Sequence, residues 1–472
     1  MKHLLTIYVI VCSLAVQAQS KVLYYKNMPG DIAAAKIARP LLEADMHFWL
    51  QVMEESHVNP YHAISKPAML QLQRSILKSL PDSVTHAQAT FAISQLIGAL
   101  EEGHLGFATS KLCDSLYNYQ CLRFPYLLQD MTQNAFVVQY DMSSQASLPP
   151  LSQIVEINGI PVQKLYERYA KFYGGLTAWK KQSVRTNIRK LLYFDGITSP
   201  FTIKAFNNKD TVLLKVNGYN RLQADSLAKV LSAIVTTPAP FALHFTENNI
   251  ALIEFNSMNS SNRETFGKFL HHAFDTIRQA KAAGVIIDLR KNGGGDSGLG
   301  DSLISYITDK PYRNAGGMKF RMSDHYKAFS KLLNNTEFDS WENKLFTYPA
   351  EKPHKPVARE LRYKGKVCVL IGPGTFSSAN MLTNAIKDFH LATLIGESTA
   401  EPANDFGEIF TFMLPNTYIV CRDACKMFTR ANGDDKDFSG IRPDIEVVAV
   451  QSGIQQQHDI VLETAVGWVL KP

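Results

Sequence analysis

The chain has 472 residues, 46% of them hydrophobic and 19% charged, with a net charge of +6. That length exceeds one ordinary core and calls for two or three domains. The composition is that of a soluble globular protein, and the positive excess is spread without a Lys- or Arg-rich run, which argues against nucleic acid as a partner.

The chain opens "MKHLLTIYVIVCSLAVQAQS". Lys2 precedes an apolar run from Leu4 to Val16, and Val16 and Ala18 stand at the −3 and −1 positions of a signal peptidase site. The run is too short for an ordinary membrane anchor, and no later segment is long and apolar enough to span a bilayer. Export to the periplasm or the medium, with cleavage after Ala18, is expected. An oxidising compartment permits disulfides. Cys113 with Cys121, and Cys421 with Cys425, are the sequence-local pairings, although connectivity stays open. Cys368, inside "KVCVLIG", reads as a buried thiol. Neither CxxC nor a paired Cys/His spacing supports zinc, and no metal or cofactor is expected.

From 31 to about 102 the pattern is helical: "LLEADMHFWLQVMEE" and "THAQATFAISQLIGALEE" repeat apolar residues at helical spacing. Gly103 follows as a C′ glycine would, which places His104 on a loop just past a helix end. From 115 to 220, "NAFVVQYD", "QIVEINGIPV", "FTIKAF" and "TVLLKV" read as strands, and "VQKLYERYAKFY" and "KKQSVRTNIRKLL" as helices, which makes a small α+β module. From about 240, β and α alternate. "NIALIEFN", "GVIIDLR", "KVCVLIG" and "LATLIGE" are strands, the middle two continuously apolar, and "RETFGKFLHHAFDTIRQAKA" and "GLGDSLISYI" are helices. Such alternation argues a largely parallel sheet, whose sites gather at the carboxyl ends of strands. Two such ends are marked, by "NGGG" and by "GTFSSAN". Between them, 309–360 is polar and weakly patterned, as a lid or binding surface would be.

In "GTFSSANML", Ser377 or Ser378 could be a nucleophile held at a strand–turn–helix junction, or a helix cap. The residues three further on are Asn380 and Met381, so neither serine completes a capping box, and the G-x-S-x-G elbow is absent. Gly293, Gly294 and Gly295 could turn backbone amides toward an oxyanion, or could simply turn the chain. A serine needs a base, most often histidine. His104 lies in the glycine-flanked "EEGHLGF", whereas His271 and His272 are adjacent on a helix and diverge, and HExxH does not occur. The base needs an orienting acid. Asp435, Asp437 and Asp444 in "DKDFSGIRPDIEVV" are candidates that spacing does not separate.

"IIDLRKNGGG", "GTFSSANML" with the "LIGE" that follows it, and "GIRPDIEV" together resemble peptidase family S41, the tail-specific and C-terminal processing proteases with their tricorn-type relatives. "LEEGHLGF" resembles the D-G-H-T segment of the histidine-using members, and "LSQIVEINGIPV" looks like the central strands of a PDZ domain. The likeness runs over most of 41–448. It implies a signal peptide at 1–18, an N-terminal helical domain at 19–112 contributing His104, and a PDZ-like α+β domain at 113–220. The rest, 221–472, would be an α/β catalytic domain of the ClpP/crotonase-like ββα superfold with an insertion at 309–360. It aligns Ser378 with the nucleophile, Gly294 and Ala379 with the oxyanion hole, His104 with the base and Asp437 with the orienting acid. Lysine-using members carry their base in "T-F-G-K-G"; the matching "GESTAEPANDFG" has no lysine. Lys387, nine residues beyond Ser378 on one helix, is over ~10 Å away along the axis. The implied activity is endopeptidase action on unfolded or extended polypeptides. The rival classes are an inactive scaffold or peptide-binding protein, a carrier of apolar ligands, and a lipase-like hydrolase.

Overall fold

The structure, a computed structural model, describes residues 36–448 and 459–471 apart from 109–116, 119–120, 133, 144, 146, 224, 226–237 and 351. The leader and Cys113 lie outside the described residues. The chain divides into two compact units: one takes in 238–410 and 424–471, the other 36–225 and 411–423 of the described residues.

The parallel-sheet unit is built on six strands in the order Phe241–Phe245, Ala251–Phe255, Val285–Asp288, Val367–Ile371, Thr393–Gly396 and Ile445–Glu446. The first pair is antiparallel and every later pair parallel. The continuous apolar strands follow from cover on both faces. Val285, Ile287, Val369 and Ile371 pack with Phe266, Leu270, Leu303 and Leu382 of the helices Arg263–Gln279, Ser297–Ile307 and Ser378–Asp388. Ile286, Cys368 and Leu370 face the other way, onto Val461, Ala465 and Val469 of the helix Ile460–Leu470. Each buried Val, Leu or Ile contributes about 1.5–3 kcal/mol relative to exposure. Cys368 is the expected buried thiol, its pKa pushed up to about 12 by burial.

The 309–360 stretch is more regular than its polarity suggested. It forms a hairpin, Gly317–Arg321 against Leu345–Pro349, and a helix, Asp324–Leu332. Phe320, Tyr326, Phe338 and Trp341 close on one another by edge and tilted ring contacts. These rings are irregularly spaced in the sequence, so periodicity does not register the core they make.

The helical–antiparallel unit has the helices Arg39–Ser56, Lys66–Ser79 and His86–Gly98, then an antiparallel sheet in the order Tyr126–Met131, Phe136–Asp141, Gln153–Ile157, Phe201–Phe206, Thr211–Val216. Val162–Ala170 and Thr177–Phe194 are its other long helices. Thr85 and Gln88 form a capping box on His86–Gly98. That helix stops at Gly98, so Gly103 is not its C′ residue as expected. A Cβ at 98 would lie 2.1 Å from the Lys171 carbonyl oxygen, and Glu101 then takes φ 53°. The chain leaves the helix early because Glu102 turns inward, 5% exposed, to meet His57.

Cys421 and Cys425 are both thiols. They stand four residues apart on the strand Val420–Phe428, about 13 Å by strand rise and beyond disulfide reach. The expected local pairing is therefore corrected. Cys425 donates to the Glu408 carbonyl at 3.2 Å, and burial raises the Cys421 pKa.

Candidate active site

Two turns leave the carboxyl ends of adjacent parallel strands, Val285–Asp288 and Val367–Ile371, and are fastened together. The Thr375 hydroxyl donates to the Leu289 carbonyl at 2.9 Å, and the Phe376 amide to the Asn292 carbonyl at 3.0 Å. Asn292, fully buried, donates its side-chain amide to the Phe255 carbonyl at 2.8 Å and accepts the Gly294 amide at 3.0 Å. The glycine turn is thus anchored on both sides before any ligand arrives.

Gly294 has φ 90°, and a Cβ there would lie 2.7 Å from the Phe376 oxygen and 2.8 Å from the Ser378 nitrogen. Gly295 has φ 136° and would place a Cβ 2.3 Å from the Met258 oxygen. A side chain at either position meets backbone, so the "GGG" run is required by close approach as well as by conformation. Asp296, 1% exposed, caps Ser297–Ile307 through the Gly298 amide at 3.0 Å and pairs with Arg263 at 2.5 Å.

The two serines differ. Ser378 opens the helix Ser378–Asp388, is 6% exposed, and donates its hydroxyl to the Gly295 carbonyl at 2.5 Å. Ser377 is half-buried, precedes the helix with φ 54° and ψ −128°, and donates its amide to the carboxylate of Glu401, which is 2% exposed. A non-glycine residue in that backbone region costs on the order of 1–3 kcal/mol and is held there only by its surroundings. The Ser378 amide belongs to the first turn of a helix, whose amides have no intrahelical acceptor. Ala379, expected as an oxyanion donor, instead gives its amide to the Phe376 carbonyl at 3.1 Å. The amide of Gly294, the other expected donor, is held by Asn292.

Of the three candidate acids, Asp435 is exposed. Asp444 pairs with Lys387 and accepts the Leu394 amide at 2.8 Å, so both residues are structural. Asp437 accepts the Ser439 hydroxyl at 2.6 Å and amide at 2.9 Å, and pairs with Arg430, which also binds Asp388 at 2.7 Å. Burial raises the Asp437 pKa, but Ser439 and Arg430 outweigh it and hold the carboxyl below its usual range. The Asp288–Arg290 part of the "DLR" motif is a clamp: Arg290 binds Asp288 at 2.6 Å and Asp459, at the start of the C-terminal helix, at 2.7 Å.

His104 belongs to the helical–antiparallel unit, half-buried in a loop. Two residues before it, Glu102 bonds His57 Nε2 at 2.7 Å, and His57 Nδ1 accepts the Asn59 amide at 3.0 Å. Accepting at Nδ1 requires its lone pair, which leaves the proton on Nε2, pointed at Glu102. This buried pair fixes the chain leading into His104. Sequence reasoning missed it, as it missed Asn292 and Glu401. Only Asn292 carried a local signal, its place inside "RKNGGG".

Among the described residues no group of His, Cys, Asp and Glu is arranged to hold a metal, and no helix is long and apolar enough to cross a membrane.

Residues 249–447 match the family model for peptidase family S41. No curated protein matches the chain. Among solved structures, a CPAF mutant is similar at TM-score 0.65 and 14% identity, covering 90% of this chain and 96% of that one. Mature CPAF complexed with lactacystin is similar at TM-score 0.63 and 16% identity, covering 91% and 99%. At such identities the likeness shows a shared fold of mixed α/β content with several sheets. Residues 249–447 are therefore a region of the peptidase family S41 type, a family of serine-type peptidases.

Proposed function

We propose that the protein is an exported endopeptidase that cleaves unfolded or extended polypeptides by a Ser-His-Asp mechanism, with Ser377 as its nucleophile. The observation that carries this choice is the backbone of Ser377, φ 54° and ψ −128°, on a strand-to-helix turn pressed against Gly294. Such a turn presents a side chain outward and puts the next residue's amide beside it. The Ser378 hydroxyl, by contrast, is committed to Gly295. The alignment with the family pointed to Ser378; the local geometry moves the proposal one residue back.

In the proposed reaction, Ser377 Oγ attacks the scissile carbonyl carbon and its proton passes to His104. The C–N bond then breaks, the leaving amine takes that proton, and water resolves the acyl-enzyme by the same route. Asp437 would orient His104 while remaining bound to Arg430 and Ser439. The amides of Ser378 and Gly294 would hold the oxyanion, Gly294 exchanging Asn292 for it. We further propose that the parallel-sheet unit is the ClpP/crotonase-like catalytic domain. The sheet spanning 126–216 would be PDZ-like and present a strand of substrate by β-augmentation.

A fluorophosphonate probe applied to wild type, Ser377→Ala and Ser378→Ala tests the assignment, together with cleavage of unfolded casein. Labelling and cleavage should vanish in Ser377→Ala and persist in Ser378→Ala. The reverse pattern restores Ser378, and no labelling of wild type with no cleavage favours the inactive scaffold. N-terminal sequencing of the mature chain tests export, with the expected start at Gln19.

A further inference from the structure

The helical–antiparallel unit holds an open cavity of about 430 Å³ whose walls include the loop 103–108, the helix Thr177–Phe194 and Arg422. Its lining includes the rings of Phe91, Phe107, Tyr173 and Trp179, the amide side chains of Gln182 and Asn187, and the cation Lys190. No Asp or Glu is among its described lining residues. Arg422 is partly buried and makes no ion pair or side-chain hydrogen bond to any described residue.

Arg422 pairs in register with Gly106, and its guanidinium folds across that glycine: a Cβ at 106 would be 2.3 Å from Nη2. Burial pushes the Arg422 pKa below the usual arginine range, and no charge of a described residue opposes that fall. A cation taken out of water without an anion is unfavourable, so a folded protein retains one only where something compensates. A guanidinium presents a planar fork of N–H donors matched to a carboxylate, and the surrounding rings suit an apolar body.

We propose that this cavity binds a carboxylate carried on an apolar group, with Arg422 as its anion partner and the aromatic walls taking the apolar part. Two sources share that chemistry: the C-terminal residue of a polypeptide, and a free organic acid. The site does not depend on which serine attacks.

The test is calorimetric titration of the full chain carrying Ser377→Ala and Ser378→Ala together, so that peptide survives. The probes are a decapeptide ending in phenylalanine, its C-terminal amide, and decanoate. The acid peptide should bind at least about tenfold more tightly than the amide, since a charge-assisted pair is lost. Adding Arg422→Met should abolish that preference while leaving the melting temperature unchanged or higher, because an unpaired, partly buried charge is removed. Adding Gly106→Ala, which displaces the guanidinium without removing its charge, should weaken the acid selectively. Tighter binding of decanoate than of peptide would assign a free acid as the ligand. Equal binding of acid and amide, no binding of any probe at millimolar concentration, or tighter binding of inorganic phosphate would overturn the proposal. The acid–amide comparison needs no change at 422, so it stands even if Arg422→Met does not fold.

Discussion

Charge is handled in opposite ways in two regions of this molecule. Around the strand ends of the parallel-sheet unit, charged groups come matched: Arg263 with Asp296, Arg290 with Asp288 and Asp459, Arg430 with Asp388 and Asp437, Lys387 with Asp444. In the cavity of the helical–antiparallel unit, Arg422 shares the walls with aromatic rings, amides and Lys190, with no acidic side chain among the described lining residues. Matched charges hold turns and helix starts in place and leave little for a ligand to do. An unmatched one in a cavity is a standing demand for a partner.

The contrast can be broken or sharpened experimentally. The largest effect belongs to the proposed nucleophile: Ser377→Ala should lower kcat/KM by roughly 10⁴-fold or more, read on a fluorogenic peptide, with no loss of thermal stability. Gly294→Ala should cost about 10²-fold or more in kcat, because a Cβ there meets the backbone of Phe376 and Ser378. Its circular dichroism spectrum checks that the fold survives. If the matched pairs are scaffold, Arg263→Ala should strand the buried Asp296 and cost about 3 kcal/mol in urea unfolding, whereas Arg263→Met paired with Asp296→Asn should recover part of that.

Asp437 gives a smaller, pH-dependent effect. Its folded pKa lies below its unfolded value, so its stabilisation is present above the ordinary carboxylate range and is lost as pH falls through the lowered value. Asp437→Asn should therefore be less stable than wild type near neutrality, by about 1 kcal/mol, with the two converging in acid. If it also shifts the pH–rate profile of peptide cleavage, Asp437 acts on the base; if only stability moves, it is part of the Arg430 clamp. The smallest effect expected is in thiol labelling: Cys368 and Cys421, fully buried with raised pKa values, should react with an aromatic disulfide reagent only after unfolding.

Much of the site was legible without coordinates. "GVIIDLR" and "KVCVLIG" are apolar throughout because helices cover both faces of their sheet, and the glycine and serine runs that follow mark the strand ends where sites gather. The strands Phe201–Phe206 and Thr211–Val216 stand where alternation placed them. Less was legible where contact overrides pattern. The helix expected to run to Gly103 ends at Gly98, because the Lys171 carbonyl packs against it and Glu102 is drawn to His57. The polar stretch after 309 hides a cluster of rings whose spacing has no period.

The sequence by itself supplied the family resemblance, the parallel strands and the short stretches from which chemistry could come, since periodicity and glycine punctuation are local properties. Only the tertiary structure gave Ser377 and Ser378 different backbone and hydroxyl settings and left Arg422 without an acid among the described residues. Those outcomes depend on a backbone angle held by a distant turn, on a hydroxyl partner 83 residues away and on which side chains line a cavity. Such relations are set by packing between elements, and neighbouring residue types do not encode them.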